Sequence, residues 1–364
     1  MTEVDRADEA SNRDHRSTRD RRPTMADIAR HVGVSRPLVS IVLRGVDGAS
    51  EATRQRVLEA AAELGYRPDS LAQGLRSQRT RRLGVVFALR RPFEVELVEL
   101  MFPIVAKRGY HLLLGATSPA RGQDLVIEEL LSYRCEALVL VGPEPLSYRR
   151  EPISAEVPIV DVGRAVTPGP VDVVRNDDAL GTRQAVDHLV ALGHRSIAFV
   201  DGGANREAAD RQSGYSAAMR SHGLTAKIRV IAGGFNEDDG AKAARTLLTE
   251  GLPTAVIASN DLSAIGLLDS VLRAGVSVPA DLSVVGYDDS RFARLPGIDL
   301  TSVRQDIPHM AELAVRAAVD RLDLARRKPK DVALAPRLVI RGTTSPPAAR
   351  TSRRPSHRQD ASAQ

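Results

Sequence analysis

Two textures divide the chain. From Thr24 to about Leu64, apolar positions recur three and four residues apart, the spacing of a helix face, with breaks at Gly33 and between Gly45 and Gly48. Beyond Arg82 the pattern changes to short, near-continuous apolar runs separated by amphipathic stretches. The runs at 83–89, 111–116, 137–142, 158–163, 196–201, 255–259 and 282–287 predict buried strands, and 123–133, 181–192, 239–249 and 262–274 predict helices. Strand-helix alternation with apolar strands implies a parallel, doubly wound α/β sheet. About nine such units over about 260 residues exceed one comfortable sheet, so two lobes are expected. Ligands of such sheets sit outside the carboxyl ends of strands, and a cleft between two lobes is the natural pocket.

The first segment reads locally as a helix-turn-helix. Thr24 stands as N-cap, with Asp27 three residues on as its capping partner. Ile28, Ala29 and Val32 form an inner face, Gly33 supplies a turn of positive φ, and Val34 closes over the core. Ser35 caps a second helix with Pro37 in its first turn, where a missing N–H costs nothing. Val39, Val42 and Leu43 then face inward, leaving Arg36, Pro37, Ser40, Ile41 and Arg44 outward, and a third helix follows over 50–64 with Ser50 as N-cap. Pro68 stops it, and a short polar stretch leads to Arg82.

Charge sharpens this division. The 364 residues carry net charge +5; residues 23–82 hold ten arginines against six acidic residues, or +4, which leaves +1 for everything else. A small basic module on a near-neutral body is the footprint of a DNA-binding unit, although a solvated basic face has the same composition. Apolar residues at 43% and charged residues at 27% are ordinary for a soluble protein, and no run approaches the length of a membrane span. The polar N-terminus has no apolar signal-peptide core, and one cysteine excludes an internal disulfide, so a reducing cytoplasm is expected. Cys135, in an apolar run, reads as a core residue.

The motif residues go further. Thr24, Asp27, Ile28, Ala29, Gly33, Val34, Ser35, Val39 and Ser40, then Thr53-Arg54 and Leu64-Gly65-Tyr66-Arg67-Pro68, fall at the spacing of the lac-repressor (LacI/GalR) family without a gap. The chain resembles that family over some 320 residues, to about Thr344. The resemblance implies an N-terminal helix-turn-helix domain plus a two-lobed, periplasmic-binding-protein-like doubly wound α/β effector domain. It implies a reader over 23–67, a hinge over 68–82 and a body over 83–344, while the polar, mixed-charge segments 1–22 and 345–364 read by composition as disordered tails. Thr24, Ser35, Ser40 and Ser50 match phosphate contacts, which position without reading sequence. Arg36 and Pro37 occupy base-reading positions, and Arg36 suits a guanine edge or a further phosphate. Leu38 replaces a common threonine, Ile41 a base-contacting arginine and Arg44 a common asparagine, so the operator is expected to depart from the family's usual one. Arg54 and Ala72 also fall at DNA-contact positions, and Leu75 matches a leucine that wedges a minor-groove step from a short hinge helix. Gly74 weakens that helix.

In the body, Leu189-Val-Ala-Leu-Gly-His-Arg-Ser-Ile-Ala-Phe199 matches the family's stretch between the lobes, and Arg211-Gln-Ser-Gly-Tyr215, Ser259-Asn-Asp-Leu262 and Val284-Val-Gly-Tyr-Asp-Asp289 are near-consensus. The resemblance puts Asp161, Arg211, Phe235, Asn260 and Asp288 at effector contacts. Their chemistry suits a sugar: carboxylates and an amide for hydroxyls, an arginine fork for vicinal hydroxyls or a carboxylate, and an aromatic face for stacking. The plainer readings stay open: Asn260 or Asp261 as helix caps, Asp288 as a turn residue, Phe235 as core.

A transcription repressor controlled by a sugar-like effector is therefore expected, binding a pseudo-palindromic double-stranded operator as a homodimer because one helix-turn-helix reads half a site. A periplasmic sugar-binding protein shares the two-lobed body but lacks residues 24–76. No enzyme is expected: Gly-x-Ser-x-Gly, a Walker loop and a dinucleotide fingerprint are absent. No cofactor or metal is expected either, since His188 and His194 are six apart, not a helical metal pair.

Overall fold

The computed structural model describes residues 23–43, 45–66, 79–142, 157–163, 170–203 and 206–348. The chain divides into two units, with the boundary between Arg79 and Thr80. The expectations for the two tails through 22 and from 349, for Arg44, and for Pro68, Ala72, Gly74 and Leu75 in the hinge lie outside the described residues.

The first unit contains helices α1 (Met25–Val32), α2 (Arg36–Leu43) and α3 (Glu51–Glu63). Asp27 Oδ2 accepts from the Thr24 N–H at 2.8 Å and the Thr24 hydroxyl at 2.7 Å, holding the first turn of α1. Gly33 ends α1 at φ 75°, a conformation that carries a Cβ penalty for other residues. Ile28, Ala29, Val32, Val39, Val42, Val57, Ala60 and Ala61 form the core. Arg56 donates to the Val32 carbonyl at 2.6 Å, tying α3 to the end of α1.

The second unit has two sheets. The N-lobe sheet contains β1 (Arg82–Ala88), β2 (His111–Thr117), β3 (Ala137–Val141), β4 (Ile159–Val162), β5 (Asp172–Asn176) and β11 (Asp331–Leu334), in the order β11-β5-β4-β3-β1-β2, all parallel. The C-lobe sheet contains β6 (Ile197–Val200), β7 (Arg229–Ile231), β8 (Ala255–Ala258), β9 (Ser283–Asp288), β10 (Thr301–Arg304) and β12 (Arg337–Val339), in the order β12-β10-β9-β8-β6-β7. Only β12 runs antiparallel to its neighbour. Helices α4 (Pro92–Lys107), α5 (Gln123–Ser132) and α10 (Ile307–Asp323) cover the first sheet; α6 (Asp178–Ala191), α7 (Arg206–Ser221), α8 (Glu237–Glu250) and α9 (Asp261–Arg273) cover the second. Each sheet has apolar clusters on both faces, as the continuous apolar strands require. Cys135 is buried in one of them, where burial pushes its thiol up to about 11.

All seven strands read from the sequence form, within a residue or two at each end. The chain adds β5, β7, β10, β11 and β12, which are short and carry Asp172, Arg175, Arg229, Arg304, Asp331 and Arg337, so their apolar signal is diluted. Three expected boundaries move. Arg81 donates its N–H to Glu136 at 2.8 Å and Arg82 opens β1, so 80–82 belong to the body rather than the hinge. Ser345 exchanges hydrogen bonds with Ser283 and Pro347 packs near Gly193, so ordered chain continues past 344. The stretch 189–199 lies wholly within the C-lobe, from α6 into β6. The chain instead passes between lobes at 176–178, 304–307 and 334–337, where β5 leads to α6, β10 to α10 and β11 to β12.

Candidate nucleic-acid interface and effector cleft

In the first unit, Ser35, Arg36 and Pro37 stand exposed at the positive N-terminal end of α2. Ser35 Oγ sits 3.4 Å from the Leu38 N–H, a loose cap. Leu38, Ser40 and Ile41 are half-buried, with Ile41 against Gly48. Ser50 is exposed and caps α3, accepting from the Thr53 N–H at 3.3 Å. Arg54 is engaged within the unit: it donates to the Val46 carbonyl at 3.2 Å and lies 3.9 Å from Glu51. It thereby fixes the loop between α2 and α3. Thr24 is half-buried at the start of α1.

In the second unit, four of the five proposed effector residues converge. Arg211, Phe235, Asn260 and Asp288 come from α7, the turn before α8, the start of α9 and the end of β9, and together they line one cleft with Arg91, Pro92, Phe93 and Glu94 of the N-lobe. The room left among them is about 30 Å³. Arg211 is only 4% exposed; its Nε donates to Asp178 at 3.2 Å and its Nη1 to the Ser259 carbonyl at 2.5 Å, with Asp288 at 3.7 Å. Its guanidinium lies 3.7 Å from the Tyr287 ring centroid, a close cation–π contact. Asn260 caps α9 with its Oδ1, on the Ser263 N–H at 2.9 Å, and donates from Nδ2 to the Phe235 carbonyl at 3.0 Å. The cap and the cleft position therefore fall on one residue, and the amide also holds the Phe235 turn.

Asp288 has a left-handed backbone, φ 106°, and Asp289 follows at φ 50°. Such conformations cost about 1–3 kcal/mol each and persist where their surroundings over-determine them. Here the surroundings are explicit: Asp289 is buried between Arg304 and Arg341, and its N–H donates to Ser302 Oγ at 3.0 Å. Asp288 is thus aimed at Arg211 and at Gln305, whose Nε2 donates to it at 2.7 Å. Gln305 also accepts from Asn176 Nδ2. Asn176 and Gln305 sit at two of the three lobe crossings, so the cleft carboxylate is bonded directly to the hinge of the body.

Asp261, beside this group, accepts from Ser302 Oγ and the Ser290 N–H at 2.6 Å each. Gly286 permits that approach, since a Cβ there would fall 2.3 Å from the Asp261 carboxylate. Burial pushes the Asp261 and Asp288 carboxyls upward, and Asp288 repulsion adds to the rise at Asp261. Glu94 is raised to about 7 because burial outweighs the attraction of Arg91.

The fifth residue, Asp161, sits elsewhere. It is fully buried within β4, beside Leu140 and Val173, and is absent from the cleft lining. The N-lobe wall is built instead by residues 91–94. Sequence reading passed over these; the available signal was the clustering of Arg91 and Glu94 just after the β1 run. Among the described residues no acidic, histidine or cysteine cluster could hold a metal, and no helix is long and apolar enough to cross a membrane.

A family model for lacI-family bacterial regulatory proteins matches residues 24–69, and one for a periplasmic binding protein-like domain matches 186–344. The Escherichia coli (strain K12) ribose operon repressor is 32% identical over 327 residues, covering 88% of this chain and 99% of its own. The chain belongs to the lacI family of bacterial regulatory proteins. Within this family, the cellobiose complex of the transcriptional regulator CelR is 30% identical, covers 88% of this chain and 100% of its own, and superposes with a TM-score of 0.65. The lac repressor dimer bound to operator and the anti-inducer ONPF is 27% identical, covers 89% and 100%, and gives 0.78. This lacI-family chain is accordingly a DNA-binding transcriptional regulator.

Proposed function

We propose that the chain is a cytoplasmic repressor that binds a pseudo-palindromic operator as a homodimer and responds to a sugar-like effector held in the cleft. It acts by binding, without catalysis. Arg36, Pro37 and Leu38 read base edges, Thr24, Ser35, Ser40 and Ser50 seat phosphates, and Arg54 holds the loop behind them. Arg44, Ala72 and Leu75 complete the DNA contacts. Arg211, Phe235, Asn260 and Asp288 take the effector. The observation that carries this reading is the convergence of these last four, from separate segments, on one small cleft whose Asp288 is bonded through Gln305 to Asn176 at the lobe crossings. The cellobiose complex of one relative and the operator-bound dimer of another agree with it.

The test has two stages. Ribose, cellobiose and common nucleosides are screened for a rise in melting temperature of the full chain, since a ligand of the folded state stabilises it. The hit is then added to a DNA titration against selected operator sequence. It is expected to change operator affinity about 5–150-fold in wild type and to do nothing in Asp288→Asn. Arg36→Ala is expected to lower affinity by about 1–3 kcal/mol at a single base position. If no sugar or nucleoside binds, or if Asp288→Asn responds at the wild-type concentration, the cleft reading fails.

A further inference from the structure

Arg91 lines the cleft from the N-lobe, opposite Arg211, Phe235, Asn260 and Asp288 of the C-lobe. Arg91 stands at the N-cap position of α4, ahead of Pro92, with its side chain free of any capping bond. Its guanidinium lies 5.4 Å from the Phe235 ring centroid, across the cleft. Phe235 lines the cleft together with Phe93, and Arg211 stands 5.8 Å from the Phe235 ring centroid. Arg91 is aimed by Glu94, which takes its Nη1 at 3.0 Å. Glu94 is in turn fixed by the Ala88 N–H at 2.6 Å and is almost fully buried. Gly142, at the end of β3, leaves room for the pair: a Cβ there would fall 2.7 Å from Glu94 and 3.1 Å from Arg91. Burial raises the Asp288 carboxyl of the C-lobe, and the charge of Arg91 is felt there too, opposing the rise after the larger effect of Arg211. The space among these side chains is about 30 Å³, room for one or two waters.

We propose that Arg91 is a built-in occupant of the cleft, a latch that covers Phe235 and holds the lobes together until an effector displaces it. The inference rests on the cleft being the effector site. A ligand then competes with Arg91 for Phe235, and the Arg91–Glu94 pair sets the concentration at which the cleft exchanges its own side chain for the effector. A second inter-lobe pair, Arg294 with Glu96 at 3.5 Å, is more exposed and leaves the aromatic face alone.

The chain has no tryptophan, so Phe235→Trp places a single reporter under the latch. The full chain, without ligand, is read by acrylamide quenching and emission maximum. Adding Arg91→Ala is expected to raise the quenching constant about twofold or more and to shift emission to the red, as the open population grows. Arg294→Ala is expected to move neither. As a check free of the tryptophan, hydrogen exchange of the segment 232–236 is measured in otherwise native chain, and Arg91→Ala is expected to speed it. Equal quenching and equal exchange with and without Arg91 would overturn the latch while leaving the effector reading intact. Failure of every sugar and nucleoside to bind would remove that reading while the quenching result still stands.

Discussion

The reader unit and the cleft place their proposed functional side chains in opposite ways. In the reader, Ser35, Arg36, Pro37 and Ser50 project into solvent from helix ends, and a separate apolar cluster behind them holds the fold. In the cleft, the groups proposed to meet the effector are themselves part of what holds the fold. Arg211 binds Asp178, Ser259 and the Tyr287 face, Asn260 caps α9, and Asp288 is joined to Gln305. A surface that must meet a large, charged, pre-existing lattice of phosphates can stay open and solvated. A pocket for a small ligand must have its polar groups fixed beforehand, because few contacts are available to order them. Substitutions of outward reader side chains that cap nothing, such as Arg36, should therefore change binding alone, whereas those in the cleft should change binding and stability together.

The sharpest way to break this contrast is Arg211→Ala. It leaves buried Asp178 and Asp288 without their shared cation. Removing one partner of such a group costs about 3–5 kcal/mol, a large part of the stability of an ordinary domain. The body transition in thermal or urea unfolding is expected to fall accordingly, with Arg211→Lys intermediate because an ammonium cannot fork between two acceptors. Arg36→Ala is expected to stay within about 0.5 kcal/mol of wild type in the same measurement. Comparable losses for the two would erase the distinction between an open reader and an interlocked cleft.

Glu94 sharpens it through pH. Its carboxyl loses its proton near 4.5 in the unfolded chain and at about 7 when buried. Between those values the folded state binds more protons, so this group's contribution to stability is complete below pH 4.5 and falls as pH rises toward 7. The swing is on the order of 2–3 kcal/mol. Glu94→Gln removes the titration, so its melting temperature relative to wild type should climb from pH 5 to pH 8. Parallel melting curves across that range would mean that burial is not what raises the group.

The same contrast explains what was legible in the sequence. The reader is a contiguous motif: caps, turn glycine, inner face and outer face lie within some forty residues, so Thr24, Gly33, Ser35 and Ser50 could be assigned their local roles directly. The cleft is assembled from segments up to about 200 residues apart. The resemblance pointed to Asn260 and Asp288, which line the cleft at the start of α9 and the end of β9, but it also pointed to Asp161, which is buried inside β4 and is not among the lining residues. Arg91 and Glu94 cluster just after the β1 run, a signal too weak alone to show that the β1–α4 turn faces another lobe. Gln305 escaped because its role depends on where the chain crosses between sheets. The strands that were missed are short or polar, β7 and β12 with three residues each.

The smallest expected effect separates two roles of one reader residue. Ser50 caps α3 through its hydroxyl, which also stands 2.9 Å from that of Thr53. Loss of such a cap costs about 1 kcal/mol, so Ser50→Ala should lower the stability of the reader unit by that amount. Its DNA affinity will fall as well, whether the hydroxyl meets a phosphate or only stiffens the helix, so this variant alone does not distinguish the roles. Ser50→Asp does. An aspartate keeps the cap acceptor and suits the positive end of the helix, so the fold should melt at or above wild type. Beside a phosphate the new charge repels, and affinity should drop for every DNA sequence alike, most strongly at low salt. Melting of the reader and salt-dependent titration against two unrelated sequences measure both halves. If Ser50→Asp melts normally and binds as wild type does, Ser50 is a cap and nothing more, and the phosphate-seating surface of the reader is narrower by one residue.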